Sequence, residues 1–150
     1  MGRVEADGAR VRSVVLDASA ALAWLLPTQA TDAANAFLER NDATTFEAPA
    51  IFDWEVRNVL LTYERRGLST VERYDRAVAN YLALNVTLHP LIVDMEGLAA
   101  LAQKARLSLF DASYLALALE QDWPLASRDE ALLIVAARSG VQCFDLRATT

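Results

Sequence analysis

The stretch Val14 to Leu26 is the most apolar in the chain, and one carboxylate, Asp17, stands inside it. Ser13-Val-Val-Leu-Asp17 reads as a short buried strand closed by a polar residue. Ala18 to Leu26 follows as a helix stopped by Pro27. A strand buried on both faces and leading straight into a helix is the unit of a parallel sheet covered by helices. The stretch is far short of the roughly 20 residues a membrane-spanning helix needs. It also lacks the basic start and cleavage pattern of a signal peptide, so no membrane partner is expected and the default address is cytoplasmic.

The rest of the chain repeats this alternation. Helices are expected over Thr31 to Arg40, over Pro49 to Arg66 with proline at the start and Gly67 at the exit, and from Ser69 to about Leu84. Ser69-Thr-Val-Glu72 scans as a capping box for the last of these. Asn85 to Val93 is strand-like, interrupted at His89-Pro90. Further helices are expected over Asp94 to Ala105, Asp111 to Gln121 and Asp129 to Arg138, with short strands near Pro124-Leu-Ala and Val141-Gln-Cys-Phe. Residues 1–12 are polar and aperiodic, and are expected to form a loose leader. No repeat or linker divides the remainder, so 150 residues make one domain.

Composition narrows the chemistry. With 54% apolar and 23% charged residues the chain can bury a core. Cys143 is the single cysteine and His89 the single histidine, which rules out an internal disulfide, a cysteine metal cluster and a His-rich zinc site within one chain. A metal here would need oxygen ligands. Cys143 reads as core and His89 as a loop residue without a role. The net charge of −6 argues against coating nucleic acid by bulk electrostatics, but not against a nuclease that gathers carboxylates around metal. Arg57, Arg65, Arg66, Arg73 and Arg76 cluster in one stretch. They form either a solvated helix surface or a patch that meets phosphate or an acidic partner.

Of the 20 acidic residues, four sit in awkward local settings. Desolvating Asp17 costs several kcal/mol unless a cation or hydrogen bonds compensate. Asp17 and Ser19 also suit the cap of the following helix. Glu55 falls at the border of its helix's apolar stripe, with Asn58 near the same face, and could simply pair with Arg57 or Arg66. Asp111 lies between Leu107-Ser-Leu-Phe110 and an apolar helix, where the helix dipole favours a negative charge. Asp129 belongs to Ser127-Arg-Asp-Glu130, which also scans as a capping box. These four are far apart in the chain, and three of them are expected at strand-to-helix junctions. A parallel sheet brings such junctions to one edge, where ligands bind. Carboxylates gathered there would repel, and hard Mg²⁺ or Mn²⁺ would relieve the repulsion.

The segments Val14-Val-Leu-Asp-Ala-Ser-Ala20, Glu55-Val-Arg-Asn-Val-Leu60, Leu109-Phe-Asp-Ala-Ser-Tyr-Leu-Ala-Leu-Ala118 and Leu125-Ala-Ser-Arg-Asp-Glu-Ala-Leu132 resemble, in order and rough spacing, the PIN-domain ribonucleases, specifically VapC-type toxins of toxin–antitoxin systems. The resemblance implies a PIN-like three-layer α/β/α domain over residues 13–147 with a central, mainly parallel sheet. It implies Asp17, Glu55 and Asp111 as an acidic triad and Asp129 as a fourth, more variable metal-site carboxylate. Ser19 would be an accessory hydroxyl near the metal or phosphate, Asn58 would support Glu55, and Ser127 stands where the family often has threonine. The implied chemistry is RNA phosphodiester hydrolysis assisted by Mg²⁺ or Mn²⁺, with a homodimer and a cognate antitoxin as partners. Two other readings use the same residues. One is a PIN-like binding module whose carboxylates are caps. The other is a metal-dependent phosphatase on small substrates, disfavoured because Asp17-Ala-Ser19 lacks a second acid and no Gly-rich phosphate loop is present.

Overall fold

The computed structural model describes residues 3–4, 10–40 and 43–147, with the backbone alone given for residues 3, 4, 10 and 11. In chain order the elements are β1 (Arg3–Val4), β2 (Arg10–Leu16), α1 (Ala18–Leu25), a 3₁₀ turn (Pro27–Gln29), α2 (Asp32–Arg40), β3 (Thr44–Pro49), α3 (Ile51–Arg65), α4 (Val71–Ala83), β4 (Thr87–His89), α5 (Met95–Ala105), α6 (Leu109–Gln121), β5 (Leu125–Ser127), α7 (Glu130–Arg138) and β6 (Cys143–Asp145). Strands β2 to β6 form a parallel sheet in the order β4-β3-β2-β5-β6. The expected three-layer α/β/α architecture is therefore present. Of the expected leader, Arg3–Val4 pairs antiparallel with Arg10–Val11, and residues 1, 2 and 5–9 lie outside the described residues.

The strand order explains the layers. From β2 the chain steps outward to β3 and β4, then returns past β3 and β2 to β5 and continues to β6 on the other side. Right-handed crossovers put the outward helices on one face and the returning helices on the other. In agreement, α1 packs with α2, α3 and α4, while α6 packs with α5 and α7 and lies on β2, β3 and β5. The direction of travel reverses between β2 and β5. Their carboxyl ends, Leu16 and Ser127, thus open onto the crevice where ligands bind in such sheets.

The interior is built from the residues that the apolar patterns single out. Val14, Val15, Leu16, Leu125 and Ala126 are fully buried in the two central strands, and Phe52, Leu115 and Leu117 cover them from α3 and α6. Burying a side chain of the Leu or Phe class contributes about 1.5–3 kcal/mol, so this layer is the main stabilising element. No helix among the described residues is long and apolar enough to cross a membrane.

Several local expectations are corrected. Thr44–Pro49 is a strand that the sequence reading leaves out, and Pro49 ends it rather than opening α3, which Ala50 precedes as cap. The strand escapes notice because Glu47 breaks its apolar pattern, and this glutamate is buried within the sheet. Thr70, not Ser69, caps α4 by accepting from the Arg73 amide. Leu107–Phe110 is no strand. Ser108 caps α6, which starts at Leu109, so Asp111 lies in the first turn at a helix-to-helix junction. Asp129, not Ser127, caps α7. Gly67 does end α3, at φ +73°, a left-handed conformation that glycine adopts without the Cβ penalty.

Candidate functional site

Asp17 follows the last residue of β2, and its amide continues the ladder by donating to the Ala126 carbonyl of β5. Its side chain is 3% exposed. Oδ1 accepts from the Ser19 hydroxyl at 2.7 Å and from the Ala20 amide at 3.0 Å, while Oδ2 accepts from the Ser127 hydroxyl at 2.6 Å. Ser127 Oγ in turn accepts from the Asp129 amide at 2.8 Å, tying the ends of β2 and β5 together. Burial pushes the Asp17 carboxyl up to about 6, although these donors pull it down, and the nearby Asp111 adds to the rise. The groups that hold it down are two hydroxyls and one amide, none of them a cation.

The other acids approach the same place from three helices. Asp111 enters from the first turn of α6, and its carboxyl is also pushed up to about 6. Burial is the chief cause, with repulsion from Asp129 and Glu55 adding to it. Glu55, in the second turn of α3, accepts from the Tyr114 hydroxyl of α6 at 2.5 Å. Tyr114 is driven far above the usual phenol range by burial first and then by Glu55, with Asp17 and Asp111 contributing. Asp111 thus lies within electrostatic reach of Asp17, Glu55 and Asp129, near the carboxyl ends of β2 and β5.

Capping accounts for only part of this cluster. Asp17 caps α1 through Ala20, and Asp129 caps α7 through the Leu132 amide at 3.0 Å. The helix of Asp111 is already capped by Ser108, however, so that acid is not needed as the cap. Nor does Glu55 pair with an arginine. Arg57 donates to Asp53 at 2.8 Å and lies over the Tyr81 ring, and Asp53 also accepts from the Tyr81 hydroxyl. Arg65, Arg66, Arg73 and Arg76 are exposed on α3 and α4 and in the loop between them.

Ser19 and Ser127 both contact Asp17, whereas Asn58 lies exposed one turn beyond Glu55. Two residues of the site carried no expectation. Tyr114 stands three positions after Asp111, a spacing that puts both on one side of a helix and is the signal that could have found it. Arg128 is the other; its backbone amide donates to Ser19 Oγ at 2.9 Å. His89 is not a loop residue. It ends β4, hydrogen-bonds Glu47 through Nε2 at 2.7 Å and meets the Trp123 ring edge-on. Cys143 is half-buried in β6.

The donor chemistry fits a hard divalent cation: four carboxylates, hydroxyl support and mutual repulsion without a basic partner. Among the described residues no group of three or more acidic, histidine or cysteine side chains is placed closely enough to hold a metal ion.

No curated protein of matching sequence is found. Among solved structures, the chain resembles PAE2754 from Pyrobaculum aerophilum with a TM-score of 0.64 at 20% identity, covering 93% of this chain and 88% of that one. FitAcB from Neisseria gonorrhoeae matches with a TM-score of 0.53 at 17% identity, covering 89% and 98%. The structure of FitAB bound to an IR36 DNA fragment gives 0.53 at 17% identity, covering 91% and 97%. At these identities the likeness is one of fold. The PIN-domain family profile matches residues 14–138, most of the chain and all four carboxylates. The chain belongs to the PIN-domain family, whose fold is generally that of nucleases.

Proposed function

We propose that this protein is a metal-dependent ribonuclease that hydrolyses RNA phosphodiester bonds and acts as the toxin of a toxin–antitoxin pair in the cytoplasm. The observation that supports the reading is a buried Asp17 at the switch point of a PIN fold, held by hydroxyls and an amide alone, with Asp111 repelled by Glu55 and Asp129 nearby. Burying Asp17 with only hydroxyl and amide donors opposes folding, and such a cost persists where function requires it.

Asp17, Glu55, Asp111 and Asp129 would hold Mg²⁺ or Mn²⁺. When bound, the metal supplies an activated water and a counter-charge for the phosphate and the leaving oxygen. Ser127 and Ser19 keep both Asp17 oxygens oriented toward the cluster, and Tyr114 fixes one oxygen of Glu55. The chain's own side chains need supply no nucleophile. The apolar surround of β2 and β5 keeps bulk water from screening the site, which strengthens each charge interaction there. A basic segment of a cognate antitoxin would neutralise the same cluster, and a homodimer would carry two such sites.

Cleavage of single-stranded RNA by the purified protein tests this, with Mn²⁺ or with EDTA and with duplex DNA as the control substrate. Cleavage of RNA with metal, lost with EDTA and reduced by about a thousandfold or more in Asp17→Asn, is the expected result. That loss corresponds to about 4 kcal/mol of transition-state stabilisation. RNA left intact with Mn²⁺, or cut equally well by Asp17→Asn, would overturn the reading.

A further inference from the structure

Arg128 lies between Ser127 and Asp129, yet its guanidinium serves none of the site's carboxylates. Nε donates to the Ser19 carbonyl at 2.8 Å, and a terminal nitrogen donates to the Gln29 side-chain carbonyl. Its backbone amide donates to Ser19 Oγ, the hydroxyl that itself donates to Asp17. Gln29, at the end of the 3₁₀ turn after α1, passes the connection on through Nε2 to the Tyr63 hydroxyl at 3.0 Å. Tyr63 belongs to α3, eight positions after Glu55 and so about two turns along the same helix.

One side chain thus joins the β5–α7 loop, the first turn of α1, the turn after α1 and the helix of Glu55. These are the supports of Asp17, Asp129 and Glu55. The geometry points to Arg128 as a positioning residue that sets the spacing of these carboxylates for metal, acting through Ser19 and Gln29 rather than through its charge. The inference rests on the metal-nuclease reading and deepens it. The forked guanidinium suits the task because its nitrogens reach two acceptors in different directions at once. A lysine ammonium is a single point charge that cannot hold both in fixed geometry.

Charge and position predict opposite signs, which makes the inference testable. A cation beside the cluster would repel Mn²⁺, so deleting it would tighten binding if electrostatics governed. Deleting a positioning contact weakens binding, by about 10- to 100-fold for groups that orient metal ligands. The measurement is Mn²⁺ titration followed by the loss of the free-ion electron paramagnetic resonance signal, with folding checked by circular dichroism. Wild type is expected to bind, Arg128→Ala and Arg128→Lys to bind at least about tenfold more weakly, and Gln29→Ala to fall between. Arg138→Ala, at the far end of α7, is expected to match wild type. Should Arg128→Ala fail to fold, Gln29→Ala carries the test alone, and a wild-type affinity there overturns the inference. Arg128→Ala binding as tightly as wild type or tighter overturns it, as does Arg128→Lys matching wild type. Wild type that takes up no Mn²⁺ removes the metal-nuclease reading itself, and this inference with it.

Discussion

Two carboxylates are buried side by side in this sheet, and they are satisfied in different ways. Glu47 lies in β3, in register with Val15 of β2, and is 6% exposed; Asp17 stands just past the end of β2 and is 3% exposed. Glu47 is bonded by the Thr45 hydroxyl and by His89 Nε2, each at 2.7 Å, so a side chain that can carry positive charge stands against it. Asp17 has hydroxyls and an amide, and its nearest charged influence is another acid. Burial alone therefore does not mark a functional acid. What marks Asp17 is burial without a cation at the edge of the sheet where the chain reverses direction. Glu47 has its partner within the fold, and Asp17 awaits one from outside it.

The contrast should appear first, and most strongly, in stability without metal. Glu47→Ala leaves His89 and Thr45 without their acceptor inside the sheet and is expected to cost about 2–4 kcal/mol, as leaving two buried donors unsatisfied does. Asp17→Asn removes a charge that burial and Asp111 disfavour, and is expected to unfold no more easily than wild type in EDTA. Urea denaturation of both variants decides it. If Asp17→Asn loses as much as Glu47→Ala, Asp17 is a structural cap and the contrast disappears.

The next effect is a dependence on pH. Asp17 and Asp111 titrate near 6 in the fold, against 3.8 for an ordinary aspartate. The folded chain holds protons that the unfolded chain releases between those values. The contribution of these two groups to stability is therefore greatest at low pH and is lost as pH rises from about 4 to 7. For Asp17 the change is about 3 kcal/mol; half-exposed Asp111 adds less. Asp17→Asn should flatten most of this slope in EDTA. Metal-free stability that rises through this window and is unaltered by Asp17→Asn would contradict the assignment.

The smallest effect concerns Tyr114, which gives Glu55 a neutral donor much as Ser127 does for Asp17. Tyr114→Phe removes one hydrogen bond and is expected to lower metal-free stability by about 1 kcal/mol. Thermal melts of Tyr114→Phe and of Glu55→Gln in EDTA would sharpen the point. A loss of several kcal/mol in Tyr114→Phe would mean that the pair holds α3 against α6 rather than orienting a ligand.

Much of this was legible in the chain. Val14-Val-Leu16 had to be a strand buried on both faces, because no other short element hides an unbroken apolar run closed by a polar residue. Alternation with helices then implied a parallel sheet. Asp17, Glu55, Asp111 and Asp129 stood out because each sits where a carboxylate is expensive or where its local explanation is incomplete. The sequence alone could not reveal β3, because Glu47 interrupts its pattern and is compensated by a histidine 42 residues away that looked idle. Nor could it show that Ser108 already caps α6, which leaves Asp111 free of that duty, or that Arg128 turns back along α1 to Ser19 and Gln29. Local spacing determines which element a residue joins and which face it takes. Which distant residue lies opposite depends on strand order and on how α3 and α6 meet over the sheet. That is why the sequence singled out the acids, while only the tertiary structure decided which of them has a partner.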